Sequence, residues 1–205
     1  ATTAIKTQGY DNVEDYVDAS IEALKIIIDQ VGGLEKIKAM GIGAPNGNYY
    51  KGTIEFAPNL SWGHDAIVPL AELFTKKLNN IPVGLTNDAN AAAIGEMTYG
   101  VARGLKNFIV ITLGTGVGSG IVINGQMVYG CDGFAGELGH TTMRPDGRLC
   151  GCGRKGCLEA YCSATGVART AREFLEKTDE DSLLRAMKPE EITSLDVSIA
   201  ASKGD

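Results

Sequence analysis

The chain has 205 residues, 44% of them hydrophobic and 21% charged, with a formal net charge of −6. That balance is globular, and the length suits one large or two small domains. An acidic chain of this kind lacks the electrostatic footprint of a nucleic-acid or anionic-membrane binder, and no apolar run reaches the ~18–20 residues of a membrane span.

In chain order, the opening residues 1–7 lack the basic and apolar regions of a signal peptide. Apolar residues at helical spacing from Val13 to Val31 predict a helix, with Asn12 as its N-cap and Gly32-Gly33 as its stop. Residues 37–44 read as a short buried strand, 49–56 as a hairpin around Lys51-Gly52, and 68–78 as a helix. A strand over 82–86 and an alanine-rich helix over 89–99 follow. This alternation suits an α/β layer with a mainly parallel sheet. Residues 100–107 read as a hinge, which places one domain at 1–104 and the start of another at 105–205. Beyond it, strands at 108–113 and 121–123 flank a glycine-rich turn, and Asn124-Gly125 marks a tight hairpin into 127–129. Helices are expected over 163–176 and 181–187, with another beginning near Asp196.

The five cysteines do not suit a secreted disulfide framework, because their number is odd. Three of them stand with a histidine as His140-x9-Cys150-x-Cys152-x4-Cys157. Three thiolates and one imidazole within eighteen residues are a complete tetrahedral donor set for Zn²⁺. No adjacent pair has the Cys-x-x-Cys spacing of a redox dithiol, so the spacing favours a metal in a reducing, cytoplasmic compartment. Four ligands leave no open coordination position, so the metal is structural rather than catalytic.

Four further features carry possible chemistry. Residues 113–120 read Leu-Gly-Thr-Gly-Val-Gly-Ser-Gly, a glycine run between strands rather than the dinucleotide fingerprint that opens a helix. Such a hairpin can present backbone N–H groups to a phosphate, with Thr115 and Ser119 adding hydroxyls; a plain β-turn fits it equally well. Residues 86–96, Thr-Asn-Asp-Ala-Asn-Ala-Ala-Ala-Ile-Gly-Glu, put Asp88 where a strand ends and a helix begins. Ligands bind at such strand ends in open α/β sheets, although an aspartate there often only caps the helix. With a phosphate loop downstream, Asp88 becomes a candidate base for phosphoryl transfer. Glu137 and Glu159 flank the metal loop and could accept polyol hydroxyl protons, or could be ordinary surface acids. Asn59, on the loop Ala-Pro-Asn-Leu-Ser-Trp, has donors and an acceptor for sugar hydroxyls. Trp62 is expected to pack that loop, and His64 to be exposed.

Taken together, the motifs Gly-Glu-Leu-Gly-His (136–140), Cys-x-Cys-Gly-x-x-Gly-Cys-Leu-Glu (150–159), Leu-Gly-Thr-Gly-Val-Gly-Ser-Gly and Asn-Asp-Ala-Asn-Ala-Ala-Ala-x-Gly-Glu resemble the ROK family (repressor, open reading frame, kinase), and within it the bacterial glucokinases. The resemblance extends over residues 42–170. It implies an actin- and hexokinase-like, ribonuclease-H-like α/β fold of two domains with a cleft between them, here incomplete at both ends. It implies phosphorylation of a hexose, glucose first, at its 6-hydroxyl by ATP and Mg²⁺, in a cytoplasmic homodimer. By the same resemblance Asp88 is the catalytic base; Asn59, Asn87, Glu137, His140 and Glu159 contact the sugar; and Gly114, Thr115 and Gly116 hold phosphate. His140, Cys150, Cys152 and Cys157 match its zinc ligands. The family's opening Asp-Xaa-Gly-Gly-Thr motif and its C-terminal adenosine region have no counterpart here, so the chain alone is expected to bind sugar weakly and not to turn over ATP. The alternative is a sugar-sensing ROK repressor; Asp88 and the intact Gly-Thr-Gly favour the kinase. A bare zinc module for protein contacts would leave both of those motifs unexplained.

Overall fold

The computed structural model describes residues 1–205. They divide into two compact units: Ala1–Phe108 with Gly120–Ala135, and Ile109–Ser119 with Gly136–Asp205.

The first unit opens with α1 (Val13–Gln30), and the Asn12 side chain accepts the Asp15 N–H at 2.8 Å. That bond satisfies one of the donors a helix start leaves orphaned, and Glu14 and Asp15 favour the positive end of the dipole. A 3-10 turn over Leu34–Lys36 follows, so strand β1 spans Met40–Ala44 and begins later than the expected residue 37. Three short strands come next: β2 (Gly47–Asn48), β3 (Thr53–Glu55) and β4 (Ile67–Val68), antiparallel in that order. Val68 belongs to β4, so α2 spans only Leu70–Lys77. Strand β5 (Val83–Asn87) then pairs parallel with β1, Met40 opposite Val83 and Ala44 opposite Asn87. A parallel pair needs a long crossover, and α2 supplies it.

Val17 of α1, Ile54 of β3, Val68, Leu70, Phe74, Leu78 and Leu85 form the core of this unit. Phe74 is buried, and truncating it to alanine should cost about 3–5 kcal/mol. Helix α3 (Asp88–Thr98) starts directly where β5 ends, with the Asn87 side chain accepting the Ala89 N–H at 2.8 Å. Its alanines let it lie close to β1 and β5, with Ala89, Asn90 and Ala93 buried.

Strand β6 (Phe108–Leu113) and strand β7 (Val117–Ile123) follow, and the boundary between the units runs within β7. β7 is four residues longer than the expected 121–123, because the glycine run itself is extended. Its end pairs antiparallel with β8 (Gln126–Met127) across Asn124-Gly125, both with φ above +50°, as a two-residue hairpin requires.

In the second unit the turn from β6 to β7 is closed by the Gly114 N–H on the Gly116 carbonyl at 3.0 Å. Leu138–His140 form a 3-10 turn. Two helices follow, α4 (Glu159–Cys162) and α5 (Ala164–Lys177), the latter capped by Ser163, whose hydroxyl accepts the Gly166 N–H at 3.1 Å. The helix expected over 181–187 is instead two 3-10 turns, Leu183–Ala186 and Pro189–Glu191. Ser182 (φ −153°, ψ 141°) and Met187 (φ −105°, ψ 157°) are both extended and leave only four residues between them, while Pro189 holds Lys188 extended and stops the turn from running on. Helix α6 (Ser194–Ser202) begins at a reciprocal capping box between Thr193 and Asp196. Leu184, Ile192 and Ala200 pack there against Leu175 and Val197.

Candidate functional site

The metal loop lies wholly in the second unit. Single antiparallel bridges join Thr142 to Cys157 and Leu149 to Lys155. Gly156 accepts the Met143 N–H at 2.7 Å and donates to the Arg148 carbonyl at 2.8 Å; Cys150 donates to the Arg154 carbonyl at 2.8 Å. These bonds fold the segment back on itself and turn its three thiols toward His140. The ligand atoms of His140, Cys150, Cys152 and Cys157 all lie within 4.8 Å of one another. His140 Nδ1 is 3.7 Å from Cys150 Sγ, and Cys152 Sγ is 3.6 Å from Cys157 Sγ. A tetrahedral zinc with ordinary bond lengths has S···S edges of about 3.8 Å and S···N edges of about 3.6 Å. The two close pairs already match, and small side-chain adjustments bring the rest into range. The donor set therefore fits Zn²⁺ in both chemistry and spacing.

The loop shifts two of its thiols in opposite directions. Burial disfavours the Cys152 thiolate, but the Arg154 backbone N–H and guanidinium outweigh it and bring that thiol down to about 6. Burial pushes the Cys150 thiol up to about 12, outweighing the Cys152 backbone N–H that lowers it, and the Cys152 and Cys157 side chains add to the rise. Arg154 also donates to the His140 carbonyl at 3.1 Å. It was not singled out from the sequence, although an arginine lying between Cys152 and Cys157 was the available signal.

Glu159, the first residue of α4, joins this loop to the glycine turn. Its Oε2 accepts the Val117 N–H at 2.9 Å, and Cys150 Sγ lies 3.5 Å from its Oε1. The expected phosphate residues Gly114, Thr115 and Gly116 sit beside it. The Ala164 N–H reaches the Gly114 carbonyl at 2.9 Å, and Thr115 is exposed. A cavity of about 240 Å³ lies here, lined among others by Thr115, Cys150, Glu159, Ser163, Thr165 and Arg169. Glu137 is exposed, and its carbonyl accepts the His140 N–H at 3.1 Å.

Arg148 anchors the loop. Its guanidinium donates to the Ala160 carbonyl, the Gly166 carbonyl, Thr170 Oγ1 and Glu173 Oε2, and stacks 4.7 Å from the Tyr161 ring centroid. Its neighbourhood lines a larger cavity of about 710 Å³ that contains none of the expected site residues.

The other expected residues lie in the first unit. Asp88 is the first residue of α3, at the carboxyl end of the parallel pair, and is exposed. Its Oδ1 accepts the Ala89 N–H at 2.8 Å, while Asn87 acts as the cap. Capping is thus shared, with Asn87 in the role that an aspartate often fills. Asn59 is exposed on a tight loop closed by Ala57 N–H to Gly63 O at 2.9 Å. Trp62 stacks on Tyr16 with centroids 5.0 Å apart. The structure therefore groups Asn59, Asn87 and Asp88 in one unit, and Gly114–Gly116, Glu137, Glu159, His140, Cys150, Cys152 and Cys157 in the other.

A model of the ROK family matches residues 3–205. The chain belongs to the ROK family. Over 192 residues it is 39% identical to a glucokinase of Streptomyces coelicolor, covering 91% of this chain and 59% of that enzyme. Over 170 residues it is 36% identical to a xylose repressor of Caldicellulosiruptor bescii, covering 82% of this chain and 41% of that protein. The crystal structure of a ROK family glucokinase from Streptomyces griseus, in complex with glucose and AMPPNP, superposes with a TM-score of 0.75 at 36% identity. That match takes in 100% of this chain and 64% of the other. The ROK chain thus has the actin- and hexokinase-like α/β fold expected of it, and spans about three fifths of these glucokinases. No helix in it is long and apolar enough to cross a membrane.

Proposed function

We propose that the whole protein carrying this ROK chain transfers the γ-phosphoryl group of MgATP to the 6-hydroxyl of a hexose, glucose first. The observation that carries the reading is the exposed carboxylate of Asp88 at the carboxyl end of a parallel strand pair, where α3 begins. Asp88 accepts the proton of the sugar hydroxyl as its oxygen bonds to the γ-phosphorus, and the bond to the β–γ bridging oxygen breaks to release ADP. Asn59, Asn87, Glu137, His140 and Glu159 hold the sugar. Gly114, Thr115 and Gly116 hold phosphate, and Mg²⁺ offsets its charge.

Zinc on His140, Cys150, Cys152 and Cys157 is structural. His140 Nδ1, 3.7 Å from Cys150 Sγ, would be its ligand atom there, which would leave Nε2 for a sugar hydroxyl. The organisation that goes with this reading is a smaller domain over 1–104 and the start of a larger one from 105, in a cytoplasmic homodimer.

A ROK repressor that senses a sugar is the second reading, favoured by the 36% identity to a xylose repressor. ADP release by the whole protein, measured over a panel of hexoses with MgATP, separates the two. Turnover with glucose or another hexose supports the kinase. Hexose binding without ADP release supports the sensor and overturns the kinase.

A further inference from the structure

We infer that Ser163 and Thr165 are positioning residues for the nucleotide. Their hydroxyls form a chain of hydrogen bonds that aims the backbone amides of Thr115 and Gly116 at a phosphate of MgATP, so they act through the turn rather than on the phosphate. The inference rests on the proposal that Gly114, Thr115 and Gly116 hold phosphate. Every residue in it belongs to the second unit.

Ser163 is the single residue between α4 and α5, and it is buried. Its Oγ accepts the Gly166 N–H at 3.1 Å and lies 3.0 Å from Thr165 Oγ1, which in turn lies 3.4 Å from the Thr115 carbonyl oxygen. A carbonyl oxygen can only accept, so Thr165 is the donor to Thr115. Its one proton is then committed, and the Ser163 hydroxyl donates to Thr165. The chain therefore runs one way, from the Gly166 N–H through Ser163 and Thr165 to the Thr115 carbonyl, and each bond polarises the next. Capping α5 requires only the first of these bonds; the onward two serve the turn. Beside them the Ala164 N–H, one of the donors that a helix start leaves without an internal partner, takes the Gly114 carbonyl at 2.9 Å.

Two successive carbonyls of the turn, those of Gly114 and Thr115, are thus drawn toward the start of α5. In a planar trans peptide the N–H points opposite to the C=O. Across their peptide bonds these carbonyls face the N–H groups of Thr115 and Gly116, which are therefore turned away from α5. No protein acceptor takes either of them, whereas the amides on both sides are occupied: Gly114 donates to the Gly116 carbonyl at 3.0 Å, and Val117 donates to Glu159 Oε2 at 2.9 Å. Two adjacent amides left free in this way are the donors that an anion takes, and Thr115 is exposed to receive one. Residue 116 has to be glycine here, because a Cβ would stand 2.5 Å from Glu159 Oε2.

The test uses the whole protein with three variants. Thr165→Val keeps shape and removes an exposed hydroxyl, Thr165→Ser keeps the hydroxyl, and Ser163→Ala cuts the chain one step earlier. Thr165→Val should raise the KM for ATP about two- to fivefold, on the scale of one lost hydrogen bond, and leave the hexose KM within about twofold. Thr165→Ser should keep the KM for ATP within about twofold of wild type. Ser163→Ala should raise it at least as far as Thr165→Val; should that variant fail to fold, the Thr165 pair decides. A purely structural role would move both KM values together or lower the melting temperature alone, and either result overturns the inference. So does a Thr165→Ser variant that behaves like Thr165→Val. Hydrogen exchange at the amides of Thr115 and Gly116, read by NMR, should slow when AMPPNP and Mg²⁺ are added to wild type, and slow less in Thr165→Val. If the wild type turns over no hexose, the kinase proposal fails. The inference is then judged on calorimetric titration with AMPPNP and Mg²⁺: it stands if Thr165→Val binds about two- to fivefold more weakly than wild type, and falls if the two bind alike or wild type does not bind.

Discussion

Replacing Gly156 by alanine should disable the metal loop, whereas the same change at Gly151 should pass almost unnoticed. Gly156 has φ +76°, where a side chain costs about 1–2 kcal/mol. A Cβ there would also land inside the surface of the Arg144 carbonyl, which is backbone and cannot swing aside. Overpacking of that kind costs typically 1–3 kcal/mol, and the rigid neighbour puts it at the upper end. The sum is about 4–5 kcal/mol, next to the buried Cys157. If metal binding and folding of the loop are one equilibrium, zinc affinity should fall about 10³–10⁴-fold. Gly153 separates the two contributions. It has φ +84° but open space around it, so Gly153→Ala carries only the backbone cost and should lose about 5–30-fold. Gly151 has neither constraint, and its alanine variant should bind zinc within about twofold of wild type. Competition against a chromophoric chelator at neutral pH measures all three. If Gly156→Ala binds zinc as tightly as Gly151→Ala, the loop is not shaped by the metal and the reasoning fails.

In the whole protein, Asp88→Asn should retain hexose binding and lose about 10²–10⁴ in kcat, the usual contribution of a general base; unchanged turnover removes Asp88 from the chemistry. Arg148→Met should lower stability by about 3 kcal/mol, because a nearly buried guanidinium leaves its carbonyl acceptors unpaired; a urea midpoint shift equivalent to under about 1 kcal/mol would refute this. Burial raises the Glu55 carboxyl, but hydrogen bonds from Lys51, Thr53 and Asn48 outweigh it and leave the pKa below its ordinary value. A folded value below the unfolded one means that the stabilisation is present above pH 4.5 and is lost as pH falls through the folded value. The stability gap between wild type and Glu55→Gln, followed by urea denaturation from pH 6 to 3, should narrow in that window; a constant gap counts against the cluster.

The clustering of the metal ligands was legible because it is local: eighteen residues with glycine between the donors have few other ways to fold. Asp88 was legible for a similar reason, since a β-run passing straight into an alanine-rich helix fixes its place at a strand end. The first four residues of β7 were not, because glycines at 118 and 120 read as a turn by composition. Only the burial of Val117 and Ser119 on alternate positions reveals the strand. The lost helix at 181–187 gave less warning: extended Ser182 and Met187 cut it to a four-residue turn, and Pro189 only barred its continuation. The bond from the buried Asn48 amide to the Asp132 carbonyl could not have been found from spacing at all, because the partner is distant in the chain and a backbone carbonyl carries no signature.

Glu159 holds the Val117 amide through one oxygen before any ligand arrives, and its other oxygen lies 3.5 Å from the Cys150 sulfur. A hydroxyl that approaches this acid meets a shared acceptor rather than an idle one. Exchanging residue 159 is therefore answered in three places at once, at the turn, at the metal loop and at whatever the pocket holds, and no single-parameter assay can say which of them was disturbed.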